Sequence, residues 1–382
     1  MTADDVRKIA VIGAGAMGNG IAQVAIMAGY RVAMRDVAQS FVDKGVQSIQ
    51  ESLGKLASKR KITEDARKEA LARLEPLVDF DAAVKDADFV IEAAPEILDL
   101  KKKIFAELDA KTPKHAILAT NTSSMSITEI ASATKRQEKV VGMHFFNPAV
   151  LLKLVEVIKG QKTSEEAAQI TYAIAKKMNK VPVIVKKDAP GFIYNRVNAP
   201  TGLLLQRILQ AGSPKPNDFD AVFKGFMPMT PFELLDYVGL DIVYNTQKYY
   251  SETLSPDYAP MKALKAYMDA NTLGKKTGKG LYDWSQGRPK IDTSNPTKEY
   301  EPQHMVALQV NEATKLLEEG VVDDPKDIDI AIANGGGGIG PFTLAGSFGY
   351  ETLVKKCEEL ADKFKAEVFR PTKTMREGKI KV

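Results

Sequence analysis

The sequence predicts an α/β fold, with an N-terminal doubly wound, mostly parallel sheet followed by two all-α modules. Over about the first 186 residues, short apolar runs typical of buried strands alternate with helical patterns. This alternation is what crossover connections between parallel strands produce. Beyond Lys186 the strand signal fades, and helical patterns broken by proline and glycine follow. A chain of 382 residues is long enough for two or three domains.

The individual elements follow from these patterns. Strands are expected at Lys8–Ile12, Arg31–Arg35, Phe89–Glu92, Ile117–Thr120, Val140–Met143, Lys153–Lys159 and Val181–Val185. Helical patterns cover Gly18 to about Ala28, a long charged stretch at residues 41–74, Leu100–Leu108 and Ser164–Met178. A polar linker at residues 285–298 divides the C-terminal part, so the expected domains are residues 1–186, 187–290 and 299–382.

The C-terminal part contains an internal repeat. Residues 231–241 align without gaps to residues 341–351, and both segments begin Pro-Phe. Residues 216–220 align to residues 325–329 at nearly the same offset. Short helix-and-turn segments can agree by coincidence, but the kept order and spacing favour a duplicated helical module.

Composition excludes several classes of function. With 53 basic and 49 acidic residues, the net charge of +4 is too small to indicate nucleic-acid binding. No apolar run approaches the roughly 20 residues of a membrane span. The chain opens without an apolar signal region, and the single cysteine, Cys357, excludes an intramolecular disulfide. A cytoplasmic protein is therefore expected, and the sequence shows no pattern for a metal site.

A glycine motif predicts a dinucleotide site of the Rossmann type. Gly13, Gly15 and Gly18, with Ala16 and Met17 between them, follow the first strand and open a helix. The tight turn and the helix N-terminus suit a diphosphate, although a glycine turn without a ligand is the alternative.

An acidic residue completes this motif. Asp36 ends the second strand, where a carboxylate binds ribose hydroxyls and repels a 2′-phosphate, so NAD is expected rather than NADP. Arg35 could turn toward a 2′-phosphate, although neighbouring residues of a strand point to opposite sides.

Polar residues follow two further strands. Asn121-Thr-Ser-Ser124 comes after Ile117–Thr120, where parallel sheets bind ligands, but these residue types also cap helices. Glu92-Ala-Ala-Pro-Glu96 follows another strand, and pattern alone favours a loop with a solvated carboxylate. Both segments are candidates for the cofactor site.

His144 is the candidate catalytic base. It is one of three histidines and precedes Glu156, which lies on an apolar face of the strand-like Leu152–Ile158. A carboxylate there needs a partner, and an imidazole beside it would gain a fixed tautomer and a stabilised cation. A hydrogen-bonded core histidine is the alternative. His115 is expected on a surface loop, and His304 without a comparable acidic neighbour.

A basic cluster lies on the long charged stretch. Lys55 and Lys59, followed by Arg60 and Lys61, read from charge alone as a solvated helix face. The alternative is a site for the phosphates of a ligand.

Taken together, these motifs resemble the L-3-hydroxyacyl-CoA dehydrogenase family over essentially the whole chain. The resemblance rests on the glycine loop with Asp36, on Asn121–Ser124, on His144-Phe-Phe-Asn-Pro148, on Lys-Leu-Val-Glu156-Val and on Asp188–Arg196. It implies NAD-dependent, reversible oxidation of (S)-3-hydroxyacyl-CoA.

The same resemblance implies roles for single residues. His144 would be the base and Glu156 its partner, with Ser123 and Asn195 binding the substrate. Asn121, Glu96 and Lys101 match cofactor-binding positions, although Ala93-Ala-Pro95 differs from the sequence that is most common at this place in the family. Lys55 and Lys59 would contact the CoA portion. The substrate is expected between the sheet domain and the first helical module.

The second helical module resembles that of multifunctional fatty-acid oxidation proteins and archaeal dehydrogenase–hydratase fusions. It carries Gln303 where the first module carries Asn195, so a structural role is expected. Whether the chain is fused to or associated with an enoyl-CoA hydratase stays open, as does whether it is a monomer or a homodimer. So do two other functions: a sibling dehydrogenase of a free hydroxy acid, and a non-catalytic NADH-binding protein of the same fold.

Overall fold

The structure is a computed structural model that describes residues 2–382. The chain forms two compact units. The first takes in the described residues up to Phe192 together with residues 320–322 and 330–337. The second comprises residues 193–319, 323–329 and 338–382. In the described chain no helix has both the length and the apolar character needed to cross a bilayer.

The first unit is built on one eight-stranded sheet of order β3-β2-β1-β4-β5-β6-β7-β8. All neighbouring strands are parallel except β6 and β7, which are antiparallel. The strands are β1 (Lys8–Ile12), β2 (Arg31–Arg35), β3 (Leu74–Leu77), β4 (Phe89–Glu92), β5 (Ile117–Thr120), β6 (Val140–Phe145), β7 (Leu154–Ile158) and β8 (Val181–Val185). The predicted doubly wound, mostly parallel sheet is confirmed.

Helices connect these strands. They are α1 (Ala16–Met27), α2 (Gln39–Ser58), α3 (Glu64–Ala72), α4 (Phe80–Val84), α5 (Leu98–Lys111), α6 (Ile127–Ala131), a 3₁₀ turn (Gln137–Lys139) and α7 (Glu165–Lys177). Apolar residues of α1 and α7 pack with those of β1, β6 and β7 in one buried core.

The sequence suggested one helical stretch at residues 41–74, but the structure divides this stretch into α2, α3 and the start of β3. Arg60 adopts a positive φ of 55° after α2, and the Thr63 side chain accepts a hydrogen bond from Ala66 N to start α3. The stretch then ends in β3, an edge strand. This strand escaped prediction because Leu-Glu-Pro-Leu shows no alternation and contains a proline. Within sheets, proline is confined to edge strands, strand starts and bulges.

The strand that carries the catalytic candidate is longer than expected. Prediction ended it at Met143, but β6 continues to Phe145 and is buried throughout. His144 therefore belongs to the sheet rather than to the loop after it. In the antiparallel register it lies directly opposite Glu156 on β7.

The second unit is helical. Its helices, with α14 partly in the first unit, are α8 (Tyr194–Ala211), α9 (Pro216–Phe223), α10 (Pro231–Val238), α11 (Leu240–Thr253), a 3₁₀ turn (Pro256–Tyr258), α12 (Lys262–Asp269), a 3₁₀ turn (Lys275–Thr277), α13 (Pro302–Glu318), α14 (Pro325–Gly335), α15 (Pro341–Phe348), α16 (Tyr350–Phe364), a 3₁₀ turn (Glu367–Phe369) and α17 (Lys373–Glu377). Residues from both predicted modules share one buried core. The division of this part at residues 290 and 299 stays a prediction.

The internal repeat is visible in a pair of helix caps. Asp220 accepts hydrogen bonds from the amides of Phe232 and Glu233, both at 2.9 Å, at the start of α10. Asp329 accepts from the amides of Phe342 and Thr343, also at 2.9 Å, at the start of α15. The aligned aspartates thus make the same contact in both copies.

Candidate active site

The glycine loop leaves the N-terminus of α1 open. Gly13 has φ +113°, and a Cβ there would lie 2.6 Å from Ala93 O. A Cβ on Gly18 would lie 1.9 Å from Gly13 O, so this glycine lets the helix pack against the loop. A Cβ on Gly15 would have no atom within 4 Å other than those of Gly15 and its two chain neighbours, and no side chain caps the helix. The loop, with Ala16 and Met17 in the first turn of α1, fits a diphosphate held by backbone amides.

Asp36 follows β2 and is joined to this loop. Its Oδ2 accepts from Ala14 N at 2.7 Å, and its Oδ1 accepts from Val37 N at 2.7 Å. Both bonds hold the carboxylate beside the glycine turn, where it can accept from ribose hydroxyls. Arg35 is directed elsewhere, because its Nε donates to Val78 O at 3.0 Å and its guanidinium lies 5.2 Å from the centre of the Phe80 ring.

A buried ion pair supports the loop after β4. Lys101 and Glu92 are both fully buried, and the lysine Nζ lies 2.8 and 3.0 Å from the two carboxylate oxygens. The same Nζ donates to Ala94 O at 3.3 Å and lies 3.2 Å from Glu96 Oε2. The predicted cofactor residue Lys101 thus reaches the site through Glu92 and Glu96, since its own ammonium is enclosed.

Glu96 gathers the polar residues that follow β5. Its Oε1 accepts from Ser123 N at 2.8 Å and from the hydroxyls of Thr122 and Ser123. Burial alone would raise the pKa of Glu96, but the Lys101 ammonium and these donors outweigh burial and lower that pKa. Glu96 is therefore an organised anion rather than a freely solvated carboxylate.

Helix capping does not account for Asn121–Ser124. The cap of α6 is Ser126, which accepts from Glu129 N at 3.1 Å. Asn121 Oδ1 instead accepts from Phe145 N at 2.8 Å and ties the end of β5 to β6, next to His144. Ser123 is exposed.

His144 and Glu156 form a buried pair. His144 Nδ1 lies 2.7 Å from Glu156 Oε2, with the side chains 7% and 0% exposed. The Phe146 and Phe192 rings lie 4.4 and 5.9 Å from the imidazole. A carboxylate that accepts the Nδ1 proton leaves the lone pair on Nε2, which is the arrangement of a general base.

An acidic neighbour alone does not distinguish His144. His115 Nε2 lies 3.0 Å from Asp88, but the imidazole is half exposed. His304 also has an acidic neighbour, contrary to expectation, since Glu359 lies 3.5 Å from its Nε2. Its Nδ1 accepts from Glu301 N at 3.1 Å in a helix cap, and burial lowers the pKa of this histidine. Only the pair of His144 is enclosed on both sides.

The other predicted residues belong to the ends of helices. Lys55 lies in the last turn of α2 and Lys59 is its C-cap residue, and both lysines are exposed. The C-terminus of a helix carries a partial negative charge, which favours cations at this position. Asn195 belongs to the second unit, in the first turn of α8. Gln303 takes the equivalent place in the first turn of α13.

Sequence models of known families match almost the entire chain. The NAD binding domain of 3-hydroxyacyl-CoA dehydrogenases matches residues 8–189. The C-terminal domain of the same enzymes matches residues 191–284 and again residues 303–378. The chain belongs to the 3-hydroxyacyl-CoA dehydrogenase family. The two matches of one domain confirm the predicted duplication, and the NAD-binding domain confirms the predicted cofactor.

Individual relatives agree with this membership. The chain is 41% identical over 285 residues to a probable 3-hydroxybutyryl-CoA dehydrogenase of Bacillus subtilis, covering 74% of the chain and 99% of that protein. It is 35% identical over 397 residues to a fatty acid oxidation complex subunit alpha of a Psychrobacter strain. That alignment covers 95% of the chain but 54% of the relative, so the chain spans about half the length of such subunits.

A solved structure matches over both units. The crystal structure of 3-hydroxybutyryl-CoA dehydrogenase from Escherichia coli gives a TM-score of 0.89 at 28% identity, covering 97% of this chain and 98% of that one.

Sequence reasoning missed the organising role of Glu92. The sequence does contain a signal for this role: a glutamate ends the apolar run Phe-Val-Ile, and a lysine follows nine residues later on the next helix. Thr120 belongs to the same cluster, since its hydroxyl donates to Glu92 Oε2 at 2.6 Å.

Proposed function

We propose that the protein catalyses the reversible oxidation of (S)-3-hydroxyacyl-CoA, such as 3-hydroxybutyryl-CoA, to 3-ketoacyl-CoA. The observation that carries this proposal is the buried His144–Glu156 pair, in the same unit as the glycine loop and Asp36. Membership of the 3-hydroxyacyl-CoA dehydrogenase family supports the substrate class.

His144 acts as the general base. Glu156 accepts a hydrogen bond from the protonated Nδ1, so the unprotonated Nε2 is the atom that removes the proton of the substrate's C3 hydroxyl. The imidazole becomes a cation in this step, and the buried carboxylate stabilises that cation in a medium that screens charge weakly. Bound NAD supplies the acceptor for the hydride that leaves C3.

Two further side chains bind and orient the substrate. Ser123 and Asn195 hydrogen-bond to substrate oxygens and fix the position of C3. Glu96 holds Ser123 in place, and Lys101 acts through Glu96. Gly13, Gly15, Ala16, Met17, Gly18, Asp36 and Asn121 complete the cofactor site.

The basic end of α2 favours a CoA thioester over a free hydroxy acid. Lys55 and Lys59 are both exposed there, and we assign them to the phosphates of CoA. A free hydroxy acid carries no phosphate that would need this pair.

Turnover of paired substrates tests the proposal. Purified protein is mixed with NADH and either acetoacetyl-CoA or free acetoacetate, and absorbance at the NADH band is followed. We expect oxidation of NADH with the thioester and none with the free acid, followed by a comparison of acyl chain lengths. Turnover of the free acid alone would favour a hydroxy-acid dehydrogenase, and NADH binding without any turnover would favour a non-catalytic protein.

Assembly and location are also proposals. We infer that the second helical copy takes the place that a partner subunit occupies in single-copy relatives, so that the chain is a monomer. Light scattering that gives an obligate dimer joined through the first copy would contradict this. The α-subunit relatives, about twice as long, support association with an enoyl-CoA hydratase. We place the protein in the cytoplasm, where a buried thiol such as Cys357 stays reduced.

A further inference from the structure

The first turn of α8 carries Asn195, and the helix itself supports this turn poorly. No side chain caps the helix at Ile193, the residue before its first turn. Pro200 lies inside the helix and has no N–H, so Arg196 O lacks the hydrogen bond that the residue four places on donates in a regular helix. The position of Asn195 therefore depends on contacts from outside α8.

One such contact is a buried ion pair with the second copy. The side chain of Arg196, the residue after Asn195, is 5% exposed, and its Nε donates to Oε1 of Glu312 on α13. Its Nη2 donates to Oε1 of Glu319, at the end of the same helix, at 2.8 Å. Glu312 is 2% exposed, and Lys315 Nζ lies 2.9 Å from its other oxygen. Two cations and two anions balance in this cluster, and the guanidinium is held in two directions.

A second contact reaches the residue before Asn195. Gln309 of α13 donates from its Nε2 to Asn198 Oδ1 at 2.9 Å, and Asn198 Nδ2 donates to Tyr194 O at 2.8 Å. Tyr194 directly precedes Asn195 in the chain. The second copy therefore holds the residues on both sides of this asparagine.

The duplication makes the ion pair one-sided. With the first turns of α8 and α13 aligned as above, His304 stands where α8 has Arg196, and Leu204 stands where α13 has Glu312. A symmetric duplication would form the same pair twice, but this chain forms the one beside Asn195. A buried ion pair adds little net stability, because lost hydration offsets the attraction, but it fixes the geometry of its partners. Its presence at this one place indicates a role in positioning.

We propose that Glu312 and Gln309 of the second copy are positioning residues for the reaction. Through Arg196 and Tyr194 they set the first turn of α8, and thereby the direction of the Asn195 amide. The second copy contributes to turnover in this way, beyond its part in the shared core. The inference rests on the proposed function, which assigns Asn195 to the substrate.

The first test is kinetic. Oxidation of NADH by acetoacetyl-CoA is followed in Glu312→Gln, which keeps an acceptor for Arg196 Nε but removes the charge. We expect kcat to fall and the KM for the thioester to rise, so that kcat/KM drops about tenfold, since even a 1 Å misplacement costs about 10²-fold. The KM for NADH should stay the same, because the glycine loop belongs to the first unit. An unchanged kcat/KM, or an equal rise in the KM for NADH, would overturn the proposal.

A double-mutant cycle separates positioning from a general loss of structure. Changes that act through one side chain are not additive. Glu312→Gln should therefore cause no further loss of kcat/KM when it is combined with Asn195→Ala. The same tenfold loss in the Asn195→Ala background would contradict an action through this asparagine.

Asp109→Asn is the matched control for stability. Asp109 Oδ1 lies 2.7 Å from Nε of the buried Arg136, near the end of α5 in the first unit. We expect Asp109→Asn and Glu312→Gln both to lower the midpoint of thermal unfolding, but only Glu312→Gln to lower kcat/KM. Equal losses of kcat/KM in the two variants would show that reduced stability is the cause and would refute the positioning role.

Gln309→Leu tests the same inference without removing a buried charge. The bond from Gln309 to Asn198 is neutral and only partly buried, so this variant decides the question even where Glu312→Gln does not fold. We expect kcat/KM to fall about threefold, as for one neutral hydrogen bond, and again not in the Asn195→Ala background. No loss, or a loss that adds to that of Asn195→Ala, would overturn the proposal.

Failure of the proposed function is distinguishable from failure of this inference. Absence of turnover in the unsubstituted protein would refute the proposed function and this inference with it. Additive losses in a protein that does turn over acetoacetyl-CoA would refute the inference alone.

Discussion

Nδ1 of His144 lies 2.7 Å from Oε2 of Glu156, and the two residues are direct partners across the antiparallel strands β6 and β7. Hydrogen bonds of the sheet therefore set the position of both side chains. A base that must act without reorganising benefits from such support, since strands hold side chains more precisely than loops do.

Replacement of the base should abolish most of the activity. His144→Gln removes the Nε2 lone pair, and we expect kcat to fall by about 10²–10⁴-fold, as is usual for loss of general acid–base catalysis. NADH binding, measured by fluorescence, should survive. His115→Gln, at the half-exposed pair with Asp88, is the control and should leave turnover unchanged. Near-normal turnover in His144→Gln would refute the assignment.

Removal of the charge next to the base should also be severe. Glu156→Gln keeps the size of the side chain but no longer stabilises an imidazolium, so we expect kcat to fall by about 10²-fold or more. The KM should change little, because Glu156 is fully buried behind the histidine. Steady-state kinetics is measured for two single variants, Glu156→Gln and the control Glu165→Gln at an exposed position. The comparison separates the effect on the base from a general loss of carboxylate charge. Equal kcat values in the two variants would exclude the proposed role.

Cofactor preference should depend on Asp36. Asp36→Asn keeps an acceptor for Ala14 N but loses the charge, so we expect about tenfold weaker NADH binding, as for one charge-assisted hydrogen bond. NADPH should bind relatively better, because the repulsion of its 2′-phosphate is removed. Fluorescence titration with both cofactors checks this, with the exposed Asp43→Asn on α2 as the control. An unchanged ratio of the two affinities would argue against ribose recognition by Asp36.

The buried ion pair under the cofactor loop should matter for stability. Lys101→Met leaves Glu92 charged and enclosed, and we expect the free energy of unfolding in urea to fall by about 3–5 kcal/mol. Lys103→Met, exposed on the same helix, should cost little. The double variant Glu92→Gln/Lys101→Met should recover part of the loss, since no isolated charge remains. No recovery would show that packing, rather than the pair, accounts for the effect.

The single thiol should be unreactive while the chain is folded. Burial raises the pKa of Cys357 to about 12, so the thiol is almost entirely protonated at pH 8. A disulfide exchange reagent should therefore label no thiol in the native protein and one per chain in denaturant. Reactivity rises with pH toward 12 because the thiolate is the attacking form. Rapid labelling of folded protein at pH 8 would contradict the enclosed position.

Sequence patterns predicted the parts of the fold that rest on strong local signals. The strand Lys8–Ile12 and the glycine loop are fully specified by apolar runs and by glycines with distinct spacing. Edge strand β3 and the extension of β6 through His144 depend on pairing with distant strands, which local patterns do not contain.

The candidate site divides in the same way. His144 and Glu156 stand out in the sequence because a carboxylate on an apolar strand is costly. Nothing local indicates that Asn121 bonds to Phe145 N, or that His304 has Glu359 beside it. Lys101 matched a family position, but its enclosure by Glu92 depends on how α5 packs against the sheet.

The shared core of the second unit has a consequence for behaviour in dilute solution. Helix α8 of the first copy packs against α13 of the second, and both helices belong to one chain. If the two copies were different subunits, these surfaces would have to meet by collision. Covalent linkage holds their effective concentration constant whatever the protein concentration. For the proposed monomer, specific activity should therefore be the same at nanomolar and micromolar enzyme, because no subunits have to associate before catalysis.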